Sequence, residues 1–366
     1  MRVAIVHDWL DTPGGAERVL ASLLRLYPDA DVYTIVDFMP ENRRAEIVGD
    51  KAVRSSFIAA LPGAKRYFRY YLPLFARAVE SFDLKGYDLI LSSSWAFAKG
   101  AVRGSGAMHI CYCHTPVRYA WDLFDEYTAG LPFVMRYAVR AMLRRIRVWD
   151  RESSDRVDSF VANSACVAER IAAHYGAKSV VIHPPVDTDF FTLCREKEEY
   201  FITASRLVPY KKIDLIAAAF ARMPEKRLLI VGDGEEAEAI ERAGGANVKL
   251  LGYQPADRLA ELIGRARAFV FAAHEDFGIA PVEAMACGTP VIAYRRCGTL
   301  DSVAEGVSGV FFKEQSVEAI VEAVQNFEPD AFDPVAVREH AEHFSREAFE
   351  SAMRSHIGKV TAQGGA

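Results

Sequence analysis

The sequence predicts an α/β protein of two domains, each built on a doubly wound parallel sheet. Three observations carry that prediction. Short apolar runs alternate with helical patterns along the whole chain. The alternation restarts at Tyr200. Between the two series, the stretch from Pro184-Pro185-Val186-Asp187 to about Glu199 is proline-rich and then charged, which is how a linker reads. The expected domains are therefore 1–183 and 184–343, with a last helix over 344–366. Ligands of such sheets bind beyond the carboxyl ends of the strands, here in a cleft across which the two sheets face.

In the first domain, Val3–Val6 is predicted as a buried strand and Ala16–Leu26 as an amphipathic helix. Further strands are expected at Asp31–Val36, Asp88–Ser92, His109–Cys113 and Ser159–Ala162, with long helical patterns between several of them. In the second, strands are expected at Phe201–Ala204, Arg227–Val231, Val248–Leu251, Ala268–Ala272 and Pro290–Ala293. Helices fall between them at Ile213–Met223, Glu235–Arg242, Asp257–Arg265 and Pro281–Cys287. In the last helix Phe344, Phe349, Met353 and Ile357 form a packing stripe.

Composition narrows the class. The 366 residues are 51% hydrophobic and 25% charged, ordinary for a globular protein. A net charge of -5 argues against nucleic-acid binding. The N-terminal apolar run is too short for a secretory leader, and no apolar stretch has the length of a membrane span. The cysteines show neither a C-x-x-C pair nor zinc-ligand spacing, and read as small buried hydrophobes in a reducing compartment. The expected location is the cytoplasm.

Three motifs carry chemistry. Gly14 and Gly15 stand before the first helix, where bare backbone and free N–H groups suit a diphosphate. The loop is not G-x-G-x-x-G, which disfavours a nicotinamide enzyme. Arg206 and Lys211 follow the first strand of the second domain, two cations suited to a leaving diphosphate. Glu275 and Glu283 bracket the loop before a helix that Pro281 opens. Glu283 suits two ribose hydroxyls and Glu275 a sugar hydroxyl, while Gly278, Ile279 and Ala280 offer N–H groups at a helix start. A carboxylate in a first helical turn could equally serve only the helix dipole.

These three elements, in this order, resemble glycosyltransferase family 4. Asn163-Ser164, Pro185-Val186-Asp187, Val231-Gly232-Asp233-Gly234 and Leu251-Gly252-Tyr253 add to the likeness. The resemblance implies the GT-B fold of two Rossmann-like domains, a retaining mechanism and no required metal or other cofactor. It implies an acceptor-binding first domain, a nucleotide-sugar-binding second domain, and a final helix that crosses back to the first. By position, Arg206 and Lys211 would hold the diphosphate beside Gly15, and Glu283 the ribose. Glu275 and the backbone at Phe277–Ala280 would hold the sugar and phosphate, with Gly252-Tyr253 near the base. His114 matches a histidine that touches the donor sugar. Many relatives carry Asn-Gly-Val-Asp at Pro184–Asp187, so the resemblance carries only Asp187 there.

The run His114-Thr115-Pro116-Val117-Arg118-Tyr119-Ala120-Trp121-Asp122 resembles bacterial mannosyltransferases of surface-polysaccharide synthesis. It makes GDP-mannose the favoured donor and a glycan, or a glycan on polyprenyl diphosphate, the expected acceptor. A UDP-sugar enzyme of the same fold and a sugar-nucleotide epimerase remain the alternatives. Arg54, Lys65, Arg66, Arg69 and Arg77 are interleaved with aromatics, and Arg140, Arg144, Arg145 and Arg147 mark a second basic stretch. Both suit an anionic membrane surface, and both are equally readable as solvated helix faces.

Overall fold

The computed structural model describes residues 1–122, 124–129 and 132–364. Two compact units emerge. The first takes in Met1–Pro184 and the chain from Phe349 onward; the second is Pro185–Ala348.

The first unit holds strands β1 (Val3–His7), β2 (Asp31–Thr34), β3 (Val53–Ser55), β4 (Leu89–Ser94), β5 (Met108–Cys113), β6 (Ser159–Ala162) and β7 (Ser179–Val181). They form one sheet in the order β3-β2-β1-β4-β5-β6-β7, and every pair is parallel. Alternation along β1 explains the two layers of core. Val3 and Ile5 face a cluster with Leu20 and Leu23 of the helix Gly15–Leu26. Ala4 and Val6 face the other side, among Phe68, Phe75 and Phe97. Both faces are covered, so β1 is buried along its whole length, as a central strand of a parallel sheet is.

The second unit holds β8 (Phe201–Ala204), β9 (Leu228–Val231), β10 (Val248–Leu250), β11 (Ala268–Phe271), β12 (Val291–Tyr294) and β13 (Gly309–Phe312). Their order is β10-β9-β8-β11-β12-β13, again all parallel. One continuous core runs from Val186 to Phe344.

Sequence periodicity did not anticipate β3, β7 and β13. Each is a sheet edge of three or four residues and is only partly buried. The last helix is Arg346–Gly364; positions 365 and 366 of the expected segment lie outside the described residues. Its stripe divides. Phe344 joins the core of the second unit, while Phe349, Met353 and Ile357 join the first unit's cluster with Ile5 and Leu20.

Candidate active site

In a doubly wound sheet the loops part where strand order reverses, and ligands enter there. In the second unit that place is between β8 and β11. The loop after β8 carries Ser205, Arg206 and a 3-10 turn, Pro209–Lys211. Lys212 then takes a left-handed backbone (φ 58°) and starts the helix Ile213–Ala221. A side-chain-bearing residue pays of order 1 kcal/mol for that conformation, so packing around the turn must impose it.

The turn brings its two cations together with one carboxylate. Lys211 Nζ forms an ion pair with Glu275 Oε1 from the loop after β11. Arg206 Nη2 donates to the Tyr210 hydroxyl at 3.1 Å, and Lys211 lies over the Tyr210 ring, 5.5 Å from its centre. Arg206 and Tyr210 are exposed, whereas Lys211 and Glu275 are largely sheltered. The arrangement offers one free guanidinium face beside an ammonium that a carboxylate holds in place.

The helix after β11 begins earlier than periodicity suggests. It spans Ile279–Ala286, with Gly278 (φ 84°) as its N-cap. Pro281 is therefore its third residue, and Glu283 sits in the second turn, buried at 7% exposure. Its position weakens the dipole-only explanation, since dipole effects fade within the first turn. Gly278 carries no side chain to cap the helix, so the first N–H groups point into the loop. Phe277 buries its side chain. Its ring packs on Phe344, 5.6 Å between centres. A Cβ on Gly298 would stand 2.1 Å from Phe277 Cα, so Gly298 is what permits the close approach of the two loops.

The remaining loops of this edge are stitched to one another. Ser205 N–H donates to Val231 O, Leu207 N–H to Asp233 O, and Gly232 N–H to Gly252 O. The Tyr253 N–H donates to Asp233 Oδ2 at 3.1 Å, and its ring is exposed. A Cβ at Gly232 would lie 1.8 Å from Ser205 O, and one at Gly234 2.2 Å from Leu207 O. The Val231–Gly234 motif thus keeps the Arg206 loop against β9. Asp187 stands apart, paired with Arg346 at 2.7 Å, and its role is to tie the linker to the start of the last helix.

In the first unit strand order reverses between β1 and β4, where His7 and Ser93 are direct neighbours in register. Gly14 is the N-cap of the helix Gly15–Leu26 and offers no side chain, which leaves the helix N–H groups at Gly15 and Ala16 accessible to a ligand. His114 follows the last residue of β5 and is half-buried. Its Nε2 is 2.9 Å from Ser93 Oγ. Burial, and then the neighbouring His7, push its pKa down to about 3. It is a neutral ring at physiological pH.

Residue patterns had not assigned roles to His7, Asp8, Ser93 or Glu17. Asp8 is fully buried and accepts four backbone N–H bonds, from Trp95, Ala96, Phe97 and Ala98, at 2.6–2.9 Å. That carboxylate shapes the turn after β4. Two signals were available in the sequence. His7-Asp8 ends an apolar strand, and Ser92-Ser93-Ser94 ends another. Polar residues at the carboxyl end of a buried strand mark the ligand edge.

Several of the basic residues have internal partners. Arg54 pairs with Asp31, Arg69 with Asp11 and Arg140 with Asp125, while Arg147 donates to Ala120 O and lies over Trp121. The helix Phe133–Ser154 nevertheless opens with Phe133, Val134, Met135 and Tyr137 all exposed, and Arg136 exposed among them. None of the described helices is long and apolar enough to cross a membrane.

Comparison with known proteins bears on these loops. Residues 13–190 match the model of Glycosyltransferase Family 4, and residues 187–350 that of Glycosyl transferases group 1. Together with the two parallel sheets, these matches support a GT-B glycosyltransferase of family 4. A D-inositol 3-phosphate glycosyltransferase of Mycobacteroides abscessus is 27% identical over 243 residues, which cover 59% of this chain and 55% of that protein. The homologous enzyme of Segniliparus rotundus is 34% identical over 181 residues, covering 42% and 40%. The chain therefore aligns with about half the length of the curated relatives it matches. Among solved structures, Anabaena HepE in complex with UDP superposes with a TM-score of 0.71 at 18% identity, covering 98% of this chain and 100% of that one. The sucrose-phosphate synthase of Thermosynechococcus elongatus gives 0.73 at 18% identity, covering 99% and 100%. At such identity these two establish the fold.

Proposed function

We propose that this glycosyltransferase transfers a sugar from a nucleotide-diphosphate donor to a hydroxyl of a glycan or lipid-linked glycan, with retention of anomeric configuration. The observation that carries the reading is the cation pair at the β8/β11 opening. Arg206 presents an exposed guanidinium there, and Lys211 is fixed beside it by Glu275. Two fixed cations next to uncapped helix N–H groups suit a diphosphate whose charge grows as the sugar departs. The buried Glu283 carboxylate takes the ribose hydroxyls, Gly252 and Tyr253 lie by the base, and Glu275 with the Phe277–Ala280 backbone holds the sugar. For the first unit, we assign His114 to a sugar hydroxyl and the Gly14-Gly15 loop to an anion.

The reaction is a front-face displacement. The bond from the anomeric carbon to the β-phosphate oxygen breaks, and the acceptor oxygen bonds to that carbon on the same face. The acceptor proton passes to the departing phosphate. Placement and charge stabilisation supply the catalysis.

GDP-mannose is the first donor to test, on the strength of the His114–Asp122 run. The UDP complexes among the structural neighbours favour a second reading, a UDP-sugar donor. A thermal-shift panel separates them, because a ligand that binds the folded state raises its midpoint with occupancy. Stabilisation by GDP-mannose over UDP-sugars supports the first reading, and the reverse supports the second. No response to any nucleotide sugar would overturn the donor assignment altogether. We also place the exposed Phe133–Tyr137 turn against anionic lipid, which would bring the enzyme to the inner membrane face. Sedimentation with anionic vesicles at low salt should capture the protein, and less of a Phe133→Ser/Tyr137→Ser variant.

A further inference from the structure

A line of four side chains crosses the carboxyl edge of the first sheet. Glu17 Oε1 lies 3.6 Å from His7 Nε2. His7 Nδ1 lies 3.1 Å from Ser93 Oγ, and Ser93 Oγ lies 2.9 Å from His114 Nε2. The sheet builds this line. His7 and Ser93 are paired in register, Tyr112 of β5 is also opposite Ser93, and His114, two residues on, points to the same face. That face is the one the helix Gly15–Leu26 covers, and Glu17 is its third residue.

We propose that the Glu17 carboxylate orients His7 through its charge, and that His7 and Ser93 then form a one-way hydrogen-bond chain that fixes the tautomer of His114 and leaves its Nδ1 as an acceptor for a sugar hydroxyl. The direction follows from counting protons. A carboxylate has only lone pairs to offer. In a neutral His7 ring the carboxylate, at 3.6 Å too far for a hydrogen bond, still favours the proton on Nε2 over a bare lone pair turned toward it. His7 Nδ1 is then an acceptor, and the Ser93 hydroxyl at 3.1 Å donates to it. A hydroxyl carries one hydrogen, so Ser93 has only lone pairs left for His114. His114 must therefore donate from Nε2 at 2.9 Å. Held neutral by burial, His114 has no second proton, and its Nδ1 keeps a lone pair.

Other groups nearby do not compete. The neighbouring carboxylate of Asp8 is taken up by four backbone N–H groups. The Tyr112 hydroxyl donates to Ile182 O. Trp95 sits edge-on to both rings, 4.9 Å from His7 and 5.9 Å from His114, and Tyr112 lies 5.1 Å from His114, which confines the imidazoles. The glycine loop belongs to the same device, since a Cβ on Gly14 would stand 3.0 Å from Glu17 Oε2.

The consequence is selectivity. A neutral imidazole with an exposed lone pair accepts from a hydroxyl and repels a phosphate oxygen, which has no hydrogen to give. His114 would thus favour the polyol end of a nucleotide sugar and reject its anionic end. Glu17, His7 and Ser93 are positioning residues in this account, and it rests on the donor reading above.

The direct test is the ¹⁵N spectrum of histidine-labelled protein at neutral pH, with the His114 signals assigned by their loss in His114→Gln. The Nε2–H tautomer is expected. In Glu17→Gln the carboxamide can turn an N–H toward His7 Nε2 and reverse the chain, so the Nδ1–H form of His114 should grow. In Ser93→Ala the tautomers should mix. Glu17→Gln should also weaken binding of the intact nucleotide sugar about tenfold and leave the nucleoside diphosphate unchanged. GDP-mannose with GDP, or UDP-glucose with UDP, would be the pair, whichever the thermal-shift panel selects. An Nδ1–H tautomer in the native chain, or a His114 signal unmoved by both variants, overturns the proposal. A failed donor panel with the expected spectra would sink the donor reading and leave the hydrogen-bond chain standing.

Discussion

The two units share a topology and use its key place in opposite ways. Each reverses strand order once, at β1/β4 in the first and at β8/β11 in the second. At the first reversal the polar groups are sunk and bonded to one another: His7, Asp8 and Ser93 are fully buried. Beyond the end of β4, Lys99 is likewise buried, paired with Asp150 at 2.7 Å. At the second reversal Arg206 and Tyr210 stand in solvent and Lys211 is only partly sheltered. Charges kept in water cost little to hold and stay available to a ligand, whereas charges taken out of it must be matched completely. The first unit spends its polar residues on shape, and the second on presenting charge.

The sharpest way to break that contrast is to orphan a buried charge. Asp150 accepts from Trp121 Nε1 and the Tyr175 hydroxyl at 2.8 and 2.9 Å while it pairs with Lys99. Asp150→Ala should cost about 3–5 kcal/mol in denaturant unfolding, because Lys99 is left buried without its partner. A loss below about 1 kcal/mol would mean the first unit tolerates unmatched charge. Arg206→Ala should do the converse. Among the described residues its side chain bonds to Tyr210, at the surface, so the unfolding midpoint should hold while turnover falls by about 10²–10³. Near-native transfer would remove Arg206 from the chemistry.

Glu283 is the exception that sharpens the rule, since it is a buried carboxylate in the unit of exposed charges. If it takes ribose hydroxyls, Glu283→Gln should weaken nucleoside-diphosphate affinity about tenfold, the scale of a hydrogen bond to a charged group. Isothermal titration measures it. Unchanged affinity with lowered stability would make Glu283 structural.

How much of this was legible in the sequence follows the same division. The second unit's site was readable because Arg206, Lys211, Glu275 and Glu283 sit in short motifs on consecutive loops, and local patterns describe local chemistry. The central strands were readable because burial on both faces writes an apolar run, as in Leu228–Val231. The line through Glu17, His7, Ser93 and His114 was not, because its members are up to 107 residues apart and meet only through strand register. The helix starts at Ile279 rather than at Pro281 because proline is tolerated throughout the first turn and so does not mark its first residue. The edge strand β3 escaped because Val53-Arg54-Ser55 holds a single apolar residue.

The smallest expected effect comes from protons. His109 is fully buried, bonded through Nε2 to Ser92 Oγ at 2.8 Å, and burial pushes its pKa down to about 3. An unfolded histidine titrates near 6.5. Between those values the unfolded chain binds a proton that the folded chain refuses. The contribution to stability is therefore complete above about pH 6.5 and is lost as pH falls toward about 3. The slope is about 1.4 kcal/mol for each unit of pH from this one side chain. His340 of the second unit is also lowered by burial, but it is only half-buried and lends a weaker slope. Denaturant unfolding at pH 6, 5.5 and 5 should show stability falling with acid, and His109→Gln should flatten the fall even if it lowers stability throughout. An unaltered slope would mean that His109 takes its proton inside the fold, and that the buried polar groups of the first unit are less sealed than those of the second.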